Sequence, residues 1–354
     1  MNSPKSTQLP MNKRRFRRVA IGVVALAATV GLMAACSSNG GSSTGNGTTA
    51  PTRYSIIYIA ALINDSFFVT QRCGAQDAAK QLGVDLKFQG PTTNDPAGEI
   101  KAFAAAAATN PDGMIVAPFT NSGFGGTVRP LMAKGIPVIA TGQTLEPADA
   151  MATYITNYLD SAKPLVKIIG DISGGKGTIG LIASDTGNKT DSDRYTQLVP
   201  ALKSGYPDLK ILDPQYVGND TAKSAAAAAA LIQGNPDLSV IYATSGPEAV
   251  GAASAIKAAG VGARVKLVSF DSSPDQITLL RNNQLAATVG QSPYKAANLA
   301  VNNIVTYLNA HKGSQAPVPA SAEITATPSM LLTPDNVSSA EGQAYQYMTA
   351  CAGD

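Results

Sequence analysis

From Tyr54 to about Leu331, short apolar runs alternate with longer Ala-rich amphipathic segments, with few interruptions. Such alternation is the pattern of βα units, in which crossover helices cover both faces of a parallel sheet. Strands are predicted over 54–60, 84–89, 113–117 and 136–140, with helices over 66–82 and 97–109 and a third ending at Gly135. After Asn157 the pattern starts again. Strands near 178–183, 209–216, 240–243 and 265–270 alternate with helices near 191–204, 221–233 and 248–259. Asn110-Pro111-Asp112 and Asn235-Pro236-Asp237 close a helix at equivalent places in the two sets,. The expected fold class is therefore α/β, with two similar doubly wound lobes. A further run at 285–289 and a long helix over 294–310 complete the pattern.

The residues before Tyr54 belong to a different kind of segment. Lys5, Lys13, Arg14, Arg15, Arg17 and Arg18 precede an apolar run over 19–33, which is short for a membrane span of about 20 residues and is followed by small residues,. This is the pattern of an export signal, expected over 1–35. Leu32-Met33-Ala34-Ala35-Cys36 matches the site at which bacterial signal peptidase cleaves before a cysteine that receives lipid. Residues 36–53 are almost all Ser, Gly, Asn and Thr, too polar to bury a core, and read as a tether of about 20 Å typical span,. The expected location is the outer side of the cell membrane, held by a lipid anchor on Cys36.

Removing the signal reverses the charge balance, because it holds six of the 27 basic residues and none of the 24 acidic ones. The remainder, with 21 basic and 24 acidic side chains, carries about −3. It has no basic patch and no Trp, so nothing points to nucleic acid,. Cys73 and Cys351 remain as an even pair in an oxidising compartment,. A disulfide and two separate buried thiols both fit the sequence.

A catalytic reading finds little support. One His and two distant Cys do not make a soft or borderline metal site, and no Gly-x-Ser-x-Gly elbow occurs,. His311 sits at a helix end, where its charge is favourable. Gly170-Asp-Ile-Ser-Gly-Gly-Lys-Gly177 spaces Gly and Lys as a phosphate loop does. It ends in Gly where Ser or Thr is needed and precedes a strand, so it reads as a helix-to-strand turn,. No catalytic residue, metal or cofactor is expected, and the chain is read as a binding protein rather than an enzyme.

In open α/β sheets ligands sit beyond the carboxyl ends of the strands. The segments there are Asn64-Asp-Ser-Phe-Phe-Val-Thr70, Val268-Ser-Phe-Asp-Ser-Ser-Pro-Asp275 and Ala287-Thr-Val-Gly-Gln-Ser-Pro293. In this order they resemble type I periplasmic sugar-binding proteins, the family of the ribose, xylose and galactose receptors of ABC importers. The resemblance covers about 54–332. It implies two Rossmann-like lobes joined by a three-strand hinge, closing on a ligand. Lobes are expected at 54–156 plus 292–320 and at 157–291 plus 321–340, followed by a tail at 341–354. It also implies a small sugar or sugar alcohol as ligand, permease and ATPase subunits as partners, and a monomeric receptor.

Carried onto this sequence, the resemblance makes Phe67 and Phe68 an aromatic wall with Asn64 and Asp65 as nearby polar contacts. Arg194, Asn219, Asp271 and Gln291 would meet ligand hydroxyls, Arg194 as donor and Asp271 as acceptor. Simpler roles stay open: Phe67 and Phe68 as core, Arg194 as a surface helix residue, Asp271 as an N-cap for the helix near Pro274. Gly142-Gln143 stands where ribose-type receptors have Asp-Arg, and Ser245-Gly246 where they have Asn-Asp. Both changes remove charged groups that grip a sugar ring, although Gln143 and Ser245 remain candidate contacts. An acyclic sugar alcohol of four or five carbons needs no such clamp. In signal, tether and cleft segments the chain also resembles actinobacterial lipoproteins for such alcohols. A cyclic monosaccharide or another small neutral solute is the alternative ligand, and a surface enzyme the remoter class.

Overall fold

The computed structural model describes residues 53–185 and 189–354. The expected signal at 1–35, the lipidation site Cys36 and the tether up to residue 52 lie outside the described residues.

The first set of elements is β1 (Ser55–Ala60), α1 (Ser66–Leu82), β2 (Asp85–Gln89), α2 (Pro96–Ala107), β3 (Gly113–Ala117), α3 (Gly125–Ala133), β4 (Val138–Thr141) and β5 (Ala152–Thr156). Local chemistry explains the boundaries of α1. Asp65 accepts from the Phe67 amide as N-cap, and Gly83 ends the helix in the left-handed conformation,. β1, β2, β3, β4 and β5 form a parallel sheet ordered β5-β4-β3-β1-β2, with one later strand beyond β5. The apolar runs of β1 are buried on both faces: Ile57 and Ile59 enter one core cluster, Ile56 and Tyr58 the other. That is the mark of a parallel strand covered by helices on both sides.

The second set is α4 (Tyr158–Ser173), β6 (Gly177–Ala183), α5 (Lys189–Thr196), α6 (Leu198–Gly205), β7 (Leu209–Ile211), β8 (Gln215–Tyr216), α7 (Thr221–Gly234), β9 (Leu238–Ala243), α8 (Gly246–Ala258), β10 (Lys266–Phe270), α9 (Pro274–Arg281) and β11 (Ala287–Gln291). Two expected elements are each divided. The helix over 191–204 breaks at Gln197 between α5 and α6. The strand over 209–216 breaks at Asp213-Pro214, where proline supplies no backbone donor for the ladder,. β5 and α4 were not anticipated. The Gly170–Gly177 stretch is the end of α4, with Gly174 left-handed, followed by the start of β6.

The last elements are α10 (Pro293–Ala310), β12 (Ile324–Thr327), β13 (Ser329–Leu332) and α11 (Ala340–Gln343). β12 pairs in parallel with β5 and so extends the first sheet. β13 pairs antiparallel with β11 in the second sheet, ordered β13-β11-β10-β9-β6-β7 with β8 also on β6. The chain thus crosses between sheets after β5, after β11 and at Pro328. The division expected at 320/321 falls one strand early, because Ile324–Thr327 completes the edge of the first sheet before Pro328 interrupts the ladder.

In the first sheet the chain leaves β1 for β2 on one side and β3 on the other. In the second it leaves β6 for β7 on one side and β9 on the other. Such reversals open a crevice at the carboxyl ends of the strands, and the loops following these strands face one shared cleft.

Candidate functional site

The cleft encloses about 170 Å³ and is lined from both lobes. At the ~30 Å³ a water occupies in the liquid, this is space for a handful of waters or one small molecule. Asp65, Phe67 and Phe68 from α1, Phe119 after β3 and Gly142 and Gln143 after β4 form one side. Thr190 and Arg194 from α5, Asn219, Ser245, Asp271 and Gln291 form the other, together with Tyr347 from the tail. Asn64 is not among the lining residues; it is exposed and borders a separate hollow with Arg72 and Thr349.

Arg194 and Asp271 form a bidentate pair, Nη1 to Oδ2 at 2.9 Å and Nη2 to Oδ1 at 3.1 Å. Their side chains are only 9% and 15% exposed, so Arg194 is not a surface helix residue. Arg194 Nη1 also donates to the Thr244 carbonyl at 2.7 Å, and the guanidinium carbon lies 4.5 Å from the centre of the Phe270 ring. Burial alone favours a neutral Arg194. The Asp271 carboxylate, with smaller contributions from other buried groups, more than offsets this and holds the pKa above its usual value,. Among the described residues the Arg194 Nε–H has no partner. A buried donor without an acceptor is costly.

Asp271 is not the cap of α9. Ser273 fills that role in a capping box with Gln276,. Asp271 instead adopts φ +78, and Asn219 on the same side of the cleft adopts φ +60, both unusual for residues with a side chain,. The Asp271 backbone is pinned in this state by N–H to the Val289 carbonyl at 2.9 Å and by the Thr288 hydroxyl on its own carbonyl at 2.5 Å. Left-handed backbone at such positions costs of order 1–3 kcal/mol and persists where surrounding structure enforces it. The carboxylate is heavily engaged: Oδ1 also accepts from Gln291 Nε2 at 2.7 Å and from the Tyr347 hydroxyl at 3.0 Å. Oδ1 thus has three protein donors and Oδ2 one, so the acceptor role expected of Asp271 narrows to Oδ2,.

Phe67 and Phe68 meet edge to face at 5.2 Å, both half-buried. Phe68 also packs on the core behind β1, so that ring serves both readings. Asp65 lines the cleft while its Oδ1 accepts from the Phe67 amide at 2.8 Å. Gly142 has φ +73, and a Cβ there would stand 3.3 Å from the Phe67 ring. The residue that departs from ribose-type receptors therefore makes room for the aromatic wall.

Gln143 has no hydrogen-bonding capacity to spare. Its Nε2 donates to the Pro118 and Phe119 carbonyls at 3.2 and 2.9 Å, and its Oε1 accepts from the Thr190 amide and hydroxyl at 3.2 and 3.0 Å. It latches the two lobes together rather than offering free polar atoms. Ser245 is the N-cap of α8 but makes no capping bond. Its hydroxyl lies 3.1 Å from Asn219 Oδ1 and also touches Glu248 Oε2. Burial raises Glu248 to about 8, and the Ser245 hydroxyl is the donor shared between this carboxyl and the Asn219 side-chain oxygen.

Residues 56–312 match the family described as the periplasmic binding protein domain. The chain belongs to that family. Among relatives of this binding protein, the D-allose-binding periplasmic protein of Escherichia coli is 25% identical over 281 residues, 77% of this chain and 89% of the relative. The ribose import binding protein of Salmonella typhimurium is 26% identical over 241 residues, 67% and 79% of the two chains. An ABC transporter solute-binding protein of Agrobacterium vitis, solved with α-D-tagatopyranose, superposes with a TM-score of 0.74 at 21% identity, over 84% of this chain and all of that one. A carbohydrate transporter solute-binding protein of Agrobacterium radiobacter, solved with D-arabinose, gives the same TM-score at 22% identity, covering 84% and 99%. These structures share the type I fold of this binding protein: α/β, with two parallel-sheet lobes.

Phe119, Thr190 and Tyr347 are among the contributors to the cleft of this binding protein that were not foreseen. Thr190 carries no motif, and its role exists only because Gln143 reaches it from the other lobe. Tyr347 lies in the tail, and Cys351 four residues on was the one local sign that the tail is held. Cys73 and Cys351 are bonded, with Cα atoms 5.1 Å apart. Among the described residues no group of three or more His, Cys, Asp or Glu could hold a metal ion.

Proposed function

We propose that this binding protein captures a small polyhydroxylated solute between its lobes for import by the permease and ATPase subunits of an ABC transporter, without chemistry of its own. Family membership and relatives named for allose and ribose support the broader statement, a sugar-type solute-binding protein. The finer one, a sugar alcohol of four or five carbons such as xylitol or threitol, rests on one observation. A buried Arg194–Asp271 pair and the Phe67 and Phe68 rings line one small cleft from its two sides. Such a pair meets hydroxyls as donor and acceptor, while the rings cover the C–H face of the carbon chain. Gly142 and the fully engaged Gln143 supply no charged clamp for a ring oxygen or anomeric centre.

A cyclic aldose is the second reading, favoured by the names of the relatives. A thermal-shift panel of tetritols, pentitols and aldoses separates the two. A ligand at about a hundred times its dissociation constant should add roughly 2.7 kcal/mol of stability. A shift with ribose or allose and none with xylitol, threitol or erythritol overturns the sugar-alcohol reading and leaves the receptor reading standing. The anchor on Cys36 is tested separately by Cys36→Ala, which should release the protein from membranes.

A further inference from the structure

The end of the chain runs from the second lobe to the first across one end of the cleft. Tyr345 lies against β11, where a Cβ on Gly290 would stand 2.9 Å from both the Tyr345 Cβ and its carbonyl oxygen, so this seat requires glycine. The Ser272 hydroxyl donates to the Tyr345 carbonyl, and the Tyr347 amide donates to the Ser272 carbonyl at 3.0 Å. Beyond Tyr347, apart from bonds between Cys351 and Asp354 within the tail, the segment is held by α1. The Met348 amide donates to the Thr70 hydroxyl at 2.7 Å, Cys351 is bonded to Cys73, and Asp354 pairs with Arg72.

Tyr347 sits where the segment passes from one lobe to the other. Its ring lies edge-on to Phe67 at 5.6 Å, and its hydroxyl accepts from Gln291 Nε2 at 2.9 Å while donating to Asp271 Oδ1. Burial first, and then the neighbouring Asp271 charge, raise its pKa well above the usual value. The phenol therefore stays a donor. On the far side of the segment lies a second cavity of about 390 Å³, which shares Gln291 with the cleft and is lined by Tyr345, Gln346 and Met348.

We propose that this disulfide-held C-terminal strap is a third wall of the ligand site, with Tyr347 as its positioning and specificity-determining residue. The hydroxyl keeps Asp271 turned onto Arg194, leaving Oδ2 to the ligand. The ring closes the end of the cleft toward Gln291 and so limits the length of carbon chain that fits. The inference rests on the reading of this cleft as the polyol site.

The test compares the wild type with Tyr347→Phe, Tyr347→Ala and the double variant Cys73→Ser/Cys351→Ser. Melting shifts and calorimetric affinities are measured for a series of four- to seven-carbon alditols, with D-ribose and D-allose. Tyr347→Phe should weaken the compounds that bind by about ten-fold without reordering them, as expected for one hydrogen bond to a charged group. Tyr347→Ala should move the preference toward longer alditols, which a purely structural role would not do. An unchanged order of preference in Tyr347→Ala overturns the proposal. If Tyr347→Ala does not fold, the order is read after reduction of the wild-type disulfide, which should blur the length preference. If no compound shifts the wild type, the polyol reading has failed and hydrogen exchange judges the strap. Amides of both 66–74 and 269–276 should then exchange faster in the double variant. Unchanged exchange at either segment overturns the proposal.

Discussion

The two walls of the cleft are built from similar βα units but do different work. On the first-lobe side, Phe67 and Phe68 offer carbon surface, while Asp65 is spent on a helix cap and Gln143 on a latch. On the second-lobe side, Arg194, Asp271 and Asn219 carry charge, left-handed backbone and an unpartnered donor. Strain and unsatisfied polarity are therefore concentrated on one wall, and shape on the other. Under the proposed function, a ligand would gain hydrogen bonds mainly from the second lobe and packing mainly from the first, and closure would collect both.

Arg194→Ala attacks the polar wall and carries the largest expected effect. It leaves Asp271 without its bidentate partner, and breaking such a buried pair costs about 3–5 kcal/mol of stability. Denaturant unfolding of the ligand-free protein should register that loss, and every ligand-induced melting shift should vanish. A ligand shift of wild-type size in this variant breaks the assignment of polar recognition to the second lobe.

The pH dependence of stability sharpens the comparison, since a buried glutamate stands behind each wall. Burial raises Glu99, behind Phe119, to about 7 and Glu248, behind Ser245, to about 8. The folded protein then holds protons that the unfolded chain releases near pH 4.5. Their contribution is complete below about pH 4.5 and is lost as pH rises through about 7 and 8, a few kcal/mol for the two groups together. Melting temperature should fall across that window in the ligand-free protein, and Glu248→Gln should flatten its upper part.

On the apolar wall, Phe67→Ala removes a half-buried ring, worth about 1–2 kcal/mol of affinity at the usual apolar coefficients. Calorimetry should show a weaker constant with the order of preference among stereoisomers retained, because the hydrogen-bonding side is untouched. A reordered preference assigns stereochemical recognition to the first lobe as well. Gln143→Ala is the mildest change, about 1 kcal/mol for the lost latch. Scattering of the ligand-free protein should then report a more open average shape, whereas no change means that Gln143 does not hold the lobes together.

Much of the framework was legible in sequence because it is set locally. α1 begins and ends where Asp65 and Gly83 dictate, and β3 is a continuous apolar run between two helices. Proximity to the cleft was legible for Phe67, Arg194 and Asp271 because strand ends in this fold converge. Their uses were not. Asp271 could cap α9 by every local rule, yet Ser273 does so and the Asp271 backbone turns left-handed beneath the Val289 carbonyl. Gln143 read as a ligand contact because it stands where ribose-type receptors have a charged residue, but Thr190, 47 residues away, takes its oxygen. β5 and α4 passed unnoticed as the chain changed sheets, and β12 joined the sheet the chain was thought to have left.

The sequence by itself determined the two-lobed α/β architecture, through hydrophobic period, capping residues and turn chemistry that act within a few residues. It also placed the cleft, because open parallel sheets gather functional loops at one end of their strands. Only the tertiary structure decided which polar groups remain available there. Hydrogen-bonding capacity is finite, and partners such as Thr190 for Gln143 or Tyr347 for Asp271 come from segments distant in sequence. Whether a buried donor is satisfied or left open, as Arg194 Nε is, depends on how the whole chain closes around it,.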